Sequence, residues 1–386
     1  MSKDSSKDRD SSDDNSTVSG SSSNDGYQFT IVGGAVTAVF EIEDGATRAK
    51  QMKSNETWTV VGDQVVKTEV EHGYTEVYTF ADANGDGIYL KISEVHTDST
   101  TGLPISNGDF GDDSSSSWSG SGGSESHHGR GGDDVLEGNA GDDRLYGEDG
   151  DDHLHGGDDD DYLSGGSGIN TVVGGAGDDL IDATGGTGKD LYDGSEGVDT
   201  VNYGAATKGL KVDLNSGSAK GSEFGKDKLI SIENVVTGSG NDKVSGSTAD
   251  NRIESGAGND QISAGDGNDW LSGGLGFDKL TGGKGADTFD FNSLDELGLG
   301  KATDSIKDFR HAEGDRIDLS GIDANASVAG DQAFTFLSAA PVDGDQTGAV
   351  WFSKKALYIS TDADAQAEFQ INLSGVSALV VEDLIL

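Results

Sequence analysis

Carboxylates stand beside glycines at a fixed interval in this chain. The unit is nine residues, Gly-Gly-x-Gly-x-Asp-x-apolar-x. Six copies run unbroken from Gly129 to Asp182, two more start at Gly185 and Gly194 after a two-residue slip, and six run from Thr237 to Asp290. The sixth position is Asp in twelve copies and Asn in two, Asn170 and Asn251. From Gly129 to Asn202 there are twenty Asp and Glu against three Lys and Arg. Stacked copies would line these acids up, and like charges that close are unfavourable unless neutralised. The neutralising agent must be a multivalent cation. Calcium fits best, because it takes roughly six to eight oxygen ligands in flexible geometry, backbone carbonyls included. Zinc would call for His and Cys, and the chain has no Cys. His153 and His155 share one x-apolar-x segment on its outward face. They could grip a transition metal as a pair, but two ligands are a weak motif and solvated surface histidines are the plainer reading.

The elements that hold these carboxylates follow from the eighth position. It is apolar in all fourteen copies, from Leu136, Leu145 and Leu154 through Leu280 and Phe289, in a chain only 32% apolar. Chance would give that roughly one time in 10⁷ when matches are counted. A disordered Gly/Asp tract has no use for a buried residue at a fixed phase. The last three residues of each copy therefore form a short strand with its middle side chain inward. The first six form a turn in which glycine permits positive φ and close backbone approach. Two copies make one coil of eighteen residues, and stacked coils build a thin continuous core. The expected fold is all-β: a parallel β-roll, or β-solenoid, of nonapeptide repeats in two blocks, with a small N-terminal antiparallel β domain and a β-rich C-terminal cap.

This nonapeptide resembles the calcium repeat of the repeats-in-toxin (RTX) family, which builds a parallel β-roll. The resemblance implies calcium between one turn and the turn two copies later, with the sixth-position Asp as side-chain ligand. Carried over, the ligands are Asp134, Asp143, Asp152, Asp161, Asp179, Asp190, Asp199, Asp242, Asp260, Asp269, Asp278 and Asp287. Asn170 and Asn251 remove a charge, Asp159 replaces a turn glycine, and Ser255 and Ala264 replace a first-position glycine. Sites around those copies are expected to be weaker or empty.

The net charge is −45 and the pI near 4.1, which argues against nucleic acid and anionic membranes as partners. No run of eighteen apolar residues offers a membrane span. The opening Met1-Ser-Lys-Asp-Ser-Ser-Lys-Asp-Arg-Asp has no apolar stretch and is no Sec signal.

Along the chain, residues 1–26 read as a disordered polar tail. Residues 27–98 alternate in the β manner, with two-residue hairpin signals at Gly62-Asp63 and His72-Gly73. This small β domain contains Asp82-Ala-Asn84-Gly-Asp86-Gly87, the opening of an EF-hand loop, but position twelve is Ser93 rather than Glu. Asp82, Asn84 and Asp86 form either a calcium loop in a β-hairpin or a solvated turn. Residues 99–128 are Ser/Gly-rich and read as a linker. Block 1 spans 129–202, intervening strands occupy 203–236, and block 2 spans 237–290. The tail, 291–386, is β-like again. Its segments Asp304-Ser-Ile-Lys-Asp308-Phe309 and Gly314-Asp315-Arg-Ile317-Asp318-Leu319-Ser320 resemble the C-terminal domain of serralysin-type secreted proteases. The final Glu382-Asp383-Leu384-Ile385-Leu386 resembles a type I secretion terminus.

The protease resemblance invites a search for catalysis. No His is followed by Glu, so the zincin motif is absent, and there is no Cys nucleophile. Gly-x-Ser-x-Gly and phosphate-loop motifs are missing too. The expected function is a secreted, extracellular, non-catalytic calcium-binding protein, exported by a Gram-negative type I system, whose partners are multiple calcium ions and that secretion machinery. The alternatives are an adhesin contacting a glycan, matrix polymer or cell surface through residues 27–98, with Trp58, Tyr74 and Tyr78 as aromatic candidates, and a secreted hydrolase or toxin.

Overall fold

The computed structural model describes the strand residues between 26 and 105 and, apart from residues 301, 326, 342–345 and 364–365, all of 114–386. The chain divides into two compact units, Met1–Gly108 and Asp109–Leu386.

In the first unit the described strands form one antiparallel sheet of eight. The hairpin signals fall where expected: Val61 lies opposite Gln64 across Gly62-Asp63, and Glu71 opposite Tyr74 across His72-Gly73. Val39, Trp58 and Val65 are buried. Trp58 is thus packed inside rather than presented for recognition, with the Lys67 ammonium 5.9 Å from its ring centre. The side chains of Tyr74 and Tyr78, and the whole loop of Asp82, Asn84 and Asp86, lie outside the described residues.

The second unit is the parallel β-roll that the repeat implies. Successive strands alternate between one sheet of eleven and another of sixteen. Register follows the coil length: Leu136 lies opposite Leu154, and Leu145 opposite Leu163. All fourteen eighth-position residues are at most 4% exposed. In the eleven-stranded sheet the repeat strands are three residues long, as Arg144–Tyr146. In the other sheet some reach six, as Val135–Ala140 and His153–Asp158.

The roll starts earlier than the repeats do. Trp118 pairs with Leu136 and His127 with Leu145, so the stretch read as a linker supplies the first coil. Both residues stand at the core phase one coil ahead of the first copies; Gly120 and Gly123 keep the first and fourth positions of the second unit, but Ser116 and Glu125 stand where the repeat has its sixth-position Asp. The two blocks lie on one continuous roll. Tyr192 pairs with Leu229, Val201 with Val235, and Val212 with Val244. The segment Lys211–Asp213, Ser218–Gly221 and Gly225–Ile230 is laid into the sixteen-stranded sheet as antiparallel neighbours.

At the C-terminal end Ile306 stacks on Leu280 and Ile317 on Phe289. Leu373 then stacks on Ile306, and Leu384 stacks on Ile317 at the edge of the eleven-stranded sheet. The strands Ala349–Ser353, Ala356–Ser360 and Phe369–Leu373 form an antiparallel extension that continues the core with Val350, Leu357 and Ile371.

Candidate metal sites

Most of the turns are shaped by two left-handed positions. In the first copies these are Arg130 (φ 75°) with Gly132 (φ 95°), and Glu148 (φ 72°) with Gly150 (φ 151°). A Cβ on Gly150 would sit 1.9 Å from the Gly132 carbonyl oxygen one coil away. At Gly150 both φ and the contact between turns therefore call for glycine.

This shape turns the sixth-position carboxylates into ladders. The backbone N–H of one Asp donates to Oδ1 of the Asp one coil later: Asp134 to Asp152 at 2.9 Å, Asp143 to Asp161 at 2.8 Å, Asp161 to Asp179 at 2.9 Å. The slip before Gly185 lengthens the step but keeps the bond, Asn170 to Asp190 at 2.7 Å and Asp179 to Asp199 at 2.9 Å. In block 2, Asp242 donates to Asp260 and Asp260 to Asp278, both at 2.7 Å, and Asp269 to Asp287 at 3.1 Å. The twelve aspartates taken from the repeat are all buried, and the fold sorts them alternately onto the two edges of the roll.

The ladder satisfies one oxygen and leaves the other. Oδ2 of Asp143, Asp152, Asp161, Asp179, Asp199, Asp242, Asp260, Asp269, Asp278 and Asp287 is buried without a hydrogen-bond partner. Buried polar atoms without partners are rare in folded proteins, so a regular row of them signals a missing ligand. Burial pushes the carboxyls of Asp143, Asp152, Asp199, Asp260 and Asp287 up to about 6, those of Asp161, Asp179 and Asp269 to about 7, and Asp278 to about 8. Neighbouring carboxylates push the same way for most of them.

The surroundings are those of a hard cation. A Cβ on Gly138 would lie 2.3 Å from Asp143 Oδ2 and 2.5 Å from the Gly156 carbonyl oxygen, and first-position glycines elsewhere sit likewise. Carboxylate and carbonyl thus converge on the glycine that leaves room for both. Among the described residues, no three His, Cys, Asp or Glu side chains converge as a metal-binding group. Further oxygen donors must come from the turn carbonyls, which suits calcium and not zinc. His153 and His155 are exposed on the sheet face, away from the turns.

The irregular copies differ in kind. Asn251 Nδ2 donates to the Glu233 carbonyl at 2.7 Å, and Asn170 Nδ2 to the Gly166 carbonyl at 3.2 Å. An amide there supplies its own donor to the turn. Ser255 fills the glycine's place and its hydroxyl donates to the Gly273 carbonyl at 3.0 Å. Asp159 takes the left-handed turn position at φ 77°, and its Oδ2 accepts from Gly141 N–H at 3.2 Å. At the junction between blocks, Tyr203 O–H donates to Asp227 Oδ2 at 2.9 Å.

Four rungs escaped the nonapeptide count. Oδ1 of Asp227 accepts from Asp190 N–H, Oε2 of Glu233 from Asp199, Oδ1 of Asp304 from Asp278 and Oδ1 of Asp315 from Asp287. Asp304 also keeps a buried Oδ2 without a partner, and burial raises its carboxyl to about 7. The signal lay in the half-motif acid-x-apolar: Asp227-Lys-Leu229, Glu233-Asn-Val235, Asp304-Ser-Ile306 and Asp315-Arg-Ile317.

No helix among the described residues is long and apolar enough to cross a membrane. The family described as RTX calcium-binding nonapeptide repeat matches at residues 128–163, 155–187 and 164–201, and these repeats bind multiple calcium ions. Among solved structures, the AlgE6R3 subunit from the Azotobacter vinelandii mannuronan C5-epimerase is 32% identical over 38% of this chain and 77% of that one, with a TM-score of 0.28. No curated protein matches the chain. The family described as peptidase M10 serralysin C terminal matches residues 191–386, just over half of the sequence, and the chain belongs to that family.

Proposed function

We propose that this is a secreted calcium-binding protein without catalytic activity, exported by a type I system, whose roll assembles when calcium reaches its turns. One observation carries the reading: ten of the twelve repeat aspartates, from Asp143 to Asp287, bury an Oδ2 without a hydrogen-bond partner among the described residues. Calcium supplies positive charge and oxygen coordination at the turns. The chain's own part is to fix each carboxylate through Oδ1 and to hold glycine carbonyls beside Oδ2. The side-chain ligands are the repeat aspartates, joined by Asp304.

Where calcium is scarce, the acidic rows oppose stacking and the chain stays extended. Where it is abundant, binding to the folded state alone stabilises that state, by about 2.7 kcal/mol per site at a hundredfold excess over Kd. Affinities of roughly 10⁻⁴ to 10⁻³ M, usual for extracellular modules, would set the threshold there. The terminal strand Leu384–Ile385 pairs with Ile317 and Asp318, so the proposed export terminus is accessible only before the roll closes.

Far-UV circular dichroism during a calcium titration, with magnesium as control, tests the reading. The expected result is a cooperative gain of β signal near millimolar calcium and none with magnesium. Full structure in chelator would overturn the coupling. Hydrolase screening of the calcium-loaded protein tests the other half, and reproducible turnover would overturn the non-catalytic assignment.

A further inference from the structure

One outer face of this strongly acidic roll is basic. In the sixteen-stranded sheet Val212, Ala219, Val244 and Leu280 point into the core, so the residues alternating with them face solvent. Register sets Lys243 directly opposite Lys211, Lys211 opposite Lys220, and Lys220 opposite Lys226. Four lysines therefore stand in a row on four adjacent strands, at about the 4.8 Å strand spacing. Lys228 lies on the same strand as Lys226, and Lys279 stands two strands beyond Lys243, with Gln261 between. All six lysines are exposed. None of them makes an ion pair among the described residues, where the nearby lysine pairs are Lys208 with Glu223 and Lys284 with Asp266. Of the acids on this face, Asp213 accepts from Ser216 N–H at 2.8 Å, and Asp193, on the strand next to Gly225–Ile230, accepts from Ser195 O–H at 3.4 Å.

Like charges directly opposite each other on neighbouring strands are destabilising. A fold that keeps such a row uncompensated presents it to something anionic. The strip is narrow, with strands of three to six residues, and Asp250 stands exposed on a flanking turn. A narrow strip bordered by acid disfavours a broad anionic surface such as a bilayer or a duplex, and leaves room for a single thin chain. Ser218, Ser245, Ser263 and Thr281 fill the face around the lysines, offering hydroxyls to a hydroxyl-rich ligand. The row carries no aromatic ring on which single-stranded nucleic acid could stack.

We propose that this face binds a linear acidic polysaccharide, its carboxylates on the lysine row and its hydroxyls on the Ser, Thr and Gln side chains. The surface is separate from the turns that carry calcium and extends the reading given above.

The test uses the full chain, folded in constant calcium as verified by circular dichroism, and a short labelled oligogalacturonate. A neutral dextran oligosaccharide and oligo(dT) serve as comparison ligands. The expected result is oligogalacturonate binding that weakens with added salt and exceeds that of both comparisons. The triple variant Lys211→Ser/Lys220→Ser/Lys243→Ser should lose at least about tenfold in affinity with an unchanged calcium midpoint, while Arg316→Ser, on the other sheet, leaves binding intact. Absence of binding by folded protein, equal affinity in the triple variant, or tighter oligo(dT) binding overturns the proposal. So does lysine-dependent self-association in sedimentation, which would make a second copy the occupant. Because folding is verified separately in calcium, failure here is distinguishable from failure of the calcium reading.

Discussion

The backbone N–H of Asp260 donates to Oδ1 of Asp278 at 2.7 Å, while Oδ2 of Asp278 is buried without a partner. Asp278→Asn keeps the acceptor and adds a donor of the kind that Asn170 and Asn251 already aim at turn carbonyls. The variant should raise the calcium midpoint roughly twofold and stabilise the calcium-free roll by about 1 kcal/mol. Asp278→Ala should raise the midpoint and destabilise the calcium-free roll as well. Circular dichroism titrations of both variants check this, and unchanged midpoints would remove Asp278 from the ligands.

Acid should substitute in part for calcium. The carboxyls of Asp161, Asp179, Asp269 and Asp278 lie at about 7 to 8 in the fold against an ordinary 3.8. A raised folded value means that the calcium-free fold binds more protons than the unfolded chain. The contribution of these groups is then fully present below about pH 4 and is lost as pH rises through 7 to 8. In chelator, the β signal should therefore be larger at pH 5 than at pH 8. A signal that shrinks on acidification would contradict the burial of these groups.

The first-position glycines should resist even a methyl group. A Cβ on Gly282 would come 2.0 Å from Asp287 Oδ2, whereas one on Gly122 would meet nothing within 4 Å. Gly282→Ala is expected to cost about 1–3 kcal/mol of calcium-dependent stability, and Gly122→Ala close to none. Thermal melts in calcium compare the two.

Asp304 should behave as a repeat aspartate although it lies in no repeat. Its Oδ1 accepts from Asp278 N–H at 2.7 Å and its Oδ2 is buried without a partner. Asp304→Asn is expected to raise the calcium midpoint as Asp278→Asn does. If it leaves the titration unmoved, the ladder's cation sites end with block 2.

The column of eighth-position residues and the alternating ladders were legible because a strict period of nine leaves only one way to stack Leu136 on Leu154 and Asp134 beneath Asp152. What followed no period was hidden. Asp227, Asp304 and Asp315 sit 37, 26 and 28 residues after their donors rather than 18. The acid-x-apolar phase survives those insertions, but the spacing does not. Trp118 and His127 were likewise masked by a Ser/Gly-rich composition that reads as linker. The lysine row could not be read either, because Lys220 reaches Lys211 only through an antiparallel hairpin laid among parallel strands.

The hydrogen bonds of the ladder join residues one coil apart, as Asp143 with Asp161 and Asp161 with Asp179. Each coil is held chiefly by the coils on either side of it. Under tension from its ends such a stack yields one coil at a time, each releasing roughly 55 Å of chain. On the proposed function the roll is in this respect a spring whose stiffness calcium sets: extensible where calcium is withheld, and resistant to pulling wherever calcium is plentiful.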